Sequence, residues 1–110
     1  MASWFVNYEK HEDYADAVAL AYKSNFDSYL GGLKAMQKWN GVANLKNIKQ
    51  ETLIIYGEKD RTYDISQQTL LNENIPNSKI VGISNSAHNT HLEKPDEFNH
   101  IVSEFLYGKK

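Results

Sequence analysis

The stretch "SNSAHNTHLEKPDEF", Ser84 to Phe98, sets two histidines, a glutamate and a proline-led helix start within fifteen residues. A second stretch, "TLIIYGEKD", places Asp60 three residues past the glycine that ends an apolar run. Imidazole takes and gives protons near neutral pH and also binds metals. A carboxylate within reach can hold its tautomer and stabilise its protonated form. Asp60 and His88 are therefore candidates for an orienter–base pair. The same spacing also fits plainer roles, with Asp60 as a turn residue after a strand-end glycine and His88 capping a backbone group. On spacing alone the plainer reading is the simpler one. His88, His91 and Glu93 form an H-x-x-H-x-E set that zinc would accept. Zinc pairs usually share a helix face, however, and this stretch runs irregularly into a proline. His91 is better read as packing or hydrogen bonding within the loop, with Glu93 as its anchor. No metal or cofactor is expected.

Those residues need elements to hold them. "TLIIYG", Thr52 to Gly57, is a continuous apolar run, which reads as a strand buried on both faces of a parallel sheet. "KIVGI", Lys79 to Ile83, reads as a second short strand. Between them Asp64 can cap a helix reaching about Asn74, and "IPNS" ends it. Pro95 opens a last helix with Asp96 and Glu97 in its first turn. Phe98, Ile101, Val102 and Phe105 follow at helical spacing, with Leu106 widening the stripe. His100 lies off that stripe and reads as a surface residue.

Ahead of this unit, Tyr14, Val18, Ala21 and Tyr22 mark an amphipathic helix from Glu9 to about Lys23, with His11 on its polar face. Ser24, Asn25 and Asp27 offer caps for a second helix with the stripe Tyr29, Leu30, Leu33 and Met36, and Trp39 near its end. Gly31 and Gly32 each cost that helix about 1 kcal/mol against alanine, tolerable if something packs close there. Tyr14, Tyr22, Phe26, Tyr29 and Trp39 could line a pocket, but core packing is the simpler expectation. Leu45 and Ile48 anchor the polar link that follows. The order is two helices and then a βαβα unit, an α/β arrangement whose strands should run parallel with a right-handed crossover. In open parallel sheets, reactive positions lie just past the carboxyl ends of strands, where Asp60 and His88 both fall.

Together "TLIIYGEKD", "IPNSKIVGI" and "SAHNTHLEKPDEF" resemble the carboxyl-terminal part of an α/β-hydrolase, over roughly Ile48 to Leu106. In that family a Gly-x-x-Asp after the penultimate strand carries the triad acid, matched by Gly57 and Asp60. The last strand leads to the triad histidine and a Leu-Glu-x-Pro segment, matched by His88, Leu92, Glu93 and Pro95. The resemblance thus implies catalytic roles for Asp60 and His88, and lid-like roles for the first two helices. Ala87 stands where glycine is usual, and Glu51 where proline is frequent. The serine elbow G-x-S-x-G has no match. "GISNS", Gly82 to Ser86, fails in its fifth position and has no helix behind it, so Ser84 and Ser86 are poor nucleophiles. Lacking the serine and its oxyanion donors, the chain alone is expected to be inactive, or active only with a complementing chain. The alternative is a non-catalytic oligomerising or binding module.

A length of 110 residues fits one domain, with residues 1–41 as a lid-like helical segment and 42–110 as the hydrolase-like unit. Two parallel strands make an incomplete layer, so the open edge of strand 52–57 is expected to recruit a second copy into a homodimer. A net charge of −2 leaves no basic stripe for phosphates and argues against nucleic acid. With no cysteine the chain forms no disulfide. Neither a signal peptide nor a membrane-spanning run is legible, so no membrane partner and a cytoplasmic location are expected.

Overall fold

β1 (Thr52–Gly57) and β2 (Ser78–Ile83) pair in parallel, in register from Thr52 opposite Ser78 to Gly57 opposite Ile83. A computed structural model describes residues 2–108 of the chain, and these strands form its two-stranded sheet. Because the register pairs the last residue of each strand, both following loops leave the sheet at one level. α3 (Ile65–Asn74) makes the crossover and packs on both strands and on the 3-10 turn Val42–Asn47. Asp64 caps it as its sequence suggested, accepting the Ser66 N–H at 2.9 Å. α5 (Pro95–Tyr107) starts at the expected proline and turns Ile101 and Phe105 toward Leu53 and Val81 across a cavity of about 380 Å³. A single helical turn, α4 (Thr90–Glu93), stands where the sequence suggested irregular chain.

The core is small: Phe5, Ile54, Ile75, Ile83 and Ala87 are its buried apolar residues. β1 is accordingly not sealed on both faces as its apolar run suggested. Only Ile54 and Gly57 are buried, because no further strand or helix layer covers the rest among the described residues.

The first helix is shorter than its periodicity suggested. α1 spans Tyr14–Tyr22, and Tyr8–Lys10 forms a separate 3-10 turn. Phe5, fully buried, packs against this segment. His11 lies tilted against its ring with centroids at 4.8 Å, and Tyr14 meets it edge-on at 5.9 Å. His11 Nδ1 also accepts the Asp13 N–H, so this histidine belongs to a turn and not to a helix face. α2 (Phe26–Lys38) is capped by Asn25, whose side chain accepts the Ser28 N–H at 2.8 Å. Tyr29 donates its hydroxyl to the Ala21 carbonyl and so ties α2 to α1.

The expectation of core packing holds for Tyr14, which meets buried Phe5, and fails for the rest of the helical pair. Tyr22, Phe26, Tyr29 and Trp39 are exposed, as are Leu30, Leu33 and Met36. Nothing approaches Gly31 or Gly32 within 4 Å, so the close packing that would excuse them is absent among the described residues. The radius of gyration is 16.0 Å, against about 13 Å for a compact chain of this length. No helix among the described residues is long and apolar enough to cross a membrane.

Candidate acid–histidine site

Gly57 sets the site's geometry. The loop after β2 crosses so close to it that a Cβ would collide with the carbonyl oxygens of Ser86 and Ala87. Any side chain there would push the two loops apart. Backbone bonds then lace the loops together: Glu58 N–H donates to Ile83 O at 3.0 Å, and Lys59 N–H to Ser86 O at 2.9 Å. Asn85 adopts a left-handed φ of 53° at the bend, and its side chain accepts from Lys59 Nζ. Asparagine tolerates that conformation better than most residues.

Asp60 and His88 meet. His88 Nδ1 lies 3.1 Å from Asp60 Oδ2, with the aspartate side chain 7% exposed and the histidine 30%. The other carboxylate oxygen accepts backbone N–H groups from Thr62 at 2.8 Å and Tyr63 at 3.3 Å. Asp60 is therefore both things its sequence allowed: Oδ1 builds the turn and Oδ2 faces the imidazole. A carboxylate only accepts hydrogen bonds. The contact thus favours the proton on Nδ1 and leaves the Nε2 lone pair as the basic position. Trp4 and Tyr63 flank the ring with centroids at 5.4 and 5.5 Å.

Glu93 holds the histidine's loop. Its Oε1 accepts the Ala87 N–H at 2.8 Å and its Oε2 the Val6 N–H at 2.7 Å. This meets the expectation of an anchoring glutamate and extends it, since the carboxylate also grips the Ser3–Val6 segment. His91 is exposed with its ring 6.0 Å from Phe98. The H-x-x-H-x-E set is thus divided: His88 faces Asp60, Glu93 holds two amides, and His91 lies over α5. No group of three or more His, Asp or Glu side chains among the described residues is arranged to hold a metal ion. His100 is 74% exposed, as its place off the stripe implied, with Glu104 at 3.9 Å. Ser84 is exposed. The Ser86 hydroxyl is fully buried and hydrogen-bonds no group among the described residues.

Trp4, Tyr63 and the double grip of Glu93 had no sequence signal of their own. Glu93 stood out in the H-x-x-H-x-E set and in the Leu-Glu-x-Pro resemblance, but neither pointed to its bond with Val6. Trp4 reaches His88 from the far end of the chain, which no local pattern reveals. Among the described residues, Tyr8 and Asp64 have shifted titrations. The charge of Glu9 raises Tyr8, and the Ser66 hydroxyl and N–H lower Asp64.

No protein-family model matches the chain. It is 33% identical over 63 residues to the monoacylglycerol lipase ABHD6 of Rattus norvegicus, covering 57% of this chain and 19% of the lipase. Among solved structures, MenH from S. aureus aligns with a TM-score of 0.61 and 38% identity, over 66% of this chain and 27% of that one. MGS-MChE2, an α/β-hydrolase enzyme from a lagoon-sediment metagenome of Mar Chica, Morocco, aligns over 89% of this chain and 46% of its own. Its TM-score is 0.75 and its identity 21%, a likeness of fold alone. The chain is an α/β-hydrolase fold relative. It corresponds to a carboxyl-terminal-like portion of that fold, spanning about a fifth of the lipase and less than half of either structure. Within this α/β-hydrolase relative, Asp60 and His88 form a contacting acid–histidine pair.

Proposed function

We propose that this chain carries the acid and the histidine of a Ser-His-Asp hydrolase site. It would act on an ester or related acyl bond only when a nucleophile comes from outside these 110 residues. The observation that carries the reading is the 3.1 Å contact between His88 Nδ1 and Asp60 Oδ2, just past the paired strand ends. In such a site the imidazole takes the proton of an attacking hydroxyl through Nε2, and the carboxylate stabilises the imidazolium that results. Serine and oxyanion donors would come with the complementing segment. Similarity to a lipase supports the ester class.

The test is turnover of a nitrophenyl ester. The isolated chain should show none above background. Mixing with a polypeptide that carries a G-x-S-x-G elbow should produce turnover that His88→Ala abolishes. Turnover by the isolated chain, lost in His88→Ala, would show that the nucleophile is already present.

A second reading is a non-catalytic oligomerising module. It is favoured by the uncovered stripe of α2 and by the unpaired edge of β1 among the described residues. In it, two Thr52–Gly57 strands pair antiparallel about a two-fold axis. Asp60→Asn and His88→Ala would then change only local stability. A well-folded monomer at micromolar concentration in ultracentrifugation would count against the dimer.

A further inference from the structure

The Ser3–Val6 segment lies over the acid–imidazole pair and is fixed by groups from both loops. Trp4 sets its ring beside His88, and its carbonyl accepts the Asn89 N–H at 3.0 Å. Arg61 Nη2 donates to the Phe5 carbonyl at 3.0 Å, and the Ser3 and Thr62 hydroxyls meet at 3.2 Å. Val6 N–H donates to Glu93 at 2.7 Å, while the same carboxylate takes the N–H of Ala87, the residue before His88. One side chain therefore joins the histidine's loop to the segment that covers the histidine. Both bonds have an ionised acceptor and are short, the stronger class of hydrogen bond. Only a carboxylate can accept at both ends. An amide of the same shape would turn an NH2 against one of the two N–H groups.

We propose that Glu93 is a positioning residue that clamps Ser3–Val6 as a strap across His88, so that access to the imidazole depends on whether the strap is docked. The strap is anchored at Phe5, which is buried against His11 and Tyr14, while its other contacts are hydrogen bonds and the Trp4–His88 ring contact. A group approaching the side of the ring now held by Trp4 must first displace it. What the clamp guards rests on the function proposed above. Whether the clamp exists does not, so it is tested by access and not by turnover.

The experiment uses Trp39→Phe, which leaves Trp4 as the one tryptophan of the chain. Two quantities are read at one pH: acrylamide quenching of Trp4 fluorescence, and the rate at which diethyl pyrocarbonate modifies His88. The second is followed by peptide mass spectrometry with His100 as an exposed internal reference. Two variants release the strap differently. Glu93→Gln spoils one arm of the carboxylate. Val6→Pro deletes the strap's N–H and leaves the Glu93–Ala87 bond, so it decides the matter even if the first variant misfolds. His88 is 30% exposed when strapped. In either folded variant its modification rate relative to His100 should rise about threefold as the strap opens, with a parallel rise in Trp4 quenching. Unchanged rates at both residues in folded Val6→Pro would overturn the clamp. So would a freed Trp4 beside an unchanged His88, since the strap would then not be what covers the ring. Failure of the serine-bearing partner to restore ester turnover would leave these rates untouched, which keeps the two ideas separable.

Discussion

The βαβα unit and the α1–α2 pair carry equally clear apolar patterns, yet they meet different fates. In the first, part of the apolar set finds a facing layer: Ile54 and Ile83 are buried and α3 packs on both strands, while Leu53 and Ile55 are half-buried. In the second, α2 forms with the expected cap and stripe, but Leu33 and Met36 are exposed, with nothing over them among the described residues. Periodicity determines that a helix forms and which side is apolar, but a partner surface determines whether that side is buried. The acid–histidine pair belongs to the finished region, and α2 is the region left bare among the described residues.

The sharpest way to break this comparison is to shorten one apolar side chain in each region. Ile83→Ala removes a fully buried side chain at the end of β2 and should cost about 2–5 kcal/mol. Leu33→Ala removes a side chain that is 58% exposed and should shift stability by less than about 0.5 kcal/mol. Urea unfolding followed by circular dichroism measures both. A large loss for Leu33→Ala that grows with protein concentration would mean that a second copy covers α2.

How much of this could be read from sequence follows the same division. Thr52–Gly57 matches its apolar run residue for residue, and Pro95 fixes the start of α5, because these signals are local. Asp60 and His88 were legible as candidates since each follows a strand end. Their pairing was legible too, on condition that the strands were neighbours, and the 57↔83 register that brings those ends level meets that condition. Phe5 escaped notice as a core residue, lying in a short segment with no period to reveal it. The grip of Glu93 on Val6 joins opposite ends of the chain, beyond the reach of any window. Exposure of the α2 stripe could not be foreseen either, because a sequence pattern does not say whether the layer it needs is present.

Glycines draw the same contrast with opposite signs. Gly57→Ala should destabilise, because its methyl would run into the Ser86 and Ala87 carbonyls, which are backbone and cannot swing aside. Overpacking of this kind costs about 1–3 kcal/mol. It should also part His88 from Asp60, visible as a changed imidazole resonance by NMR. Gly31→Ala in α2 meets nothing within 4 Å and should instead strengthen that helix by about 1 kcal/mol. Amide exchange along α2 would read that gain. If Gly31→Ala weakened the protein, some surface must already press on α2 in solution, and the helix would not be bare.

The smallest effect separates the two regions by their helix caps. Asp64 starts α3 in the finished region and Asn25 starts α2 in the bare one, each accepting a backbone N–H. Only the first cap titrates. The Ser66 hydroxyl, and after it the Ser66 N–H, hold Asp64 below its ordinary 3.8. A carboxylate depressed by folding adds stability above its unfolded value and loses it as pH falls through the lower folded value. The Ser66 amide resonance should therefore move with acid below the usual aspartate range, while Ser28, held by the neutral Asn25, keeps its cap bond. Asp64→Asn preserves an acceptor at the cap and should erase the acid-side movement at Ser66 while α3 stays formed at neutral pH. If Ser66 in the parent chain shows no acid transition, the carboxylate is not the group that begins α3, and the crossover joining the two halves of the site has another anchor.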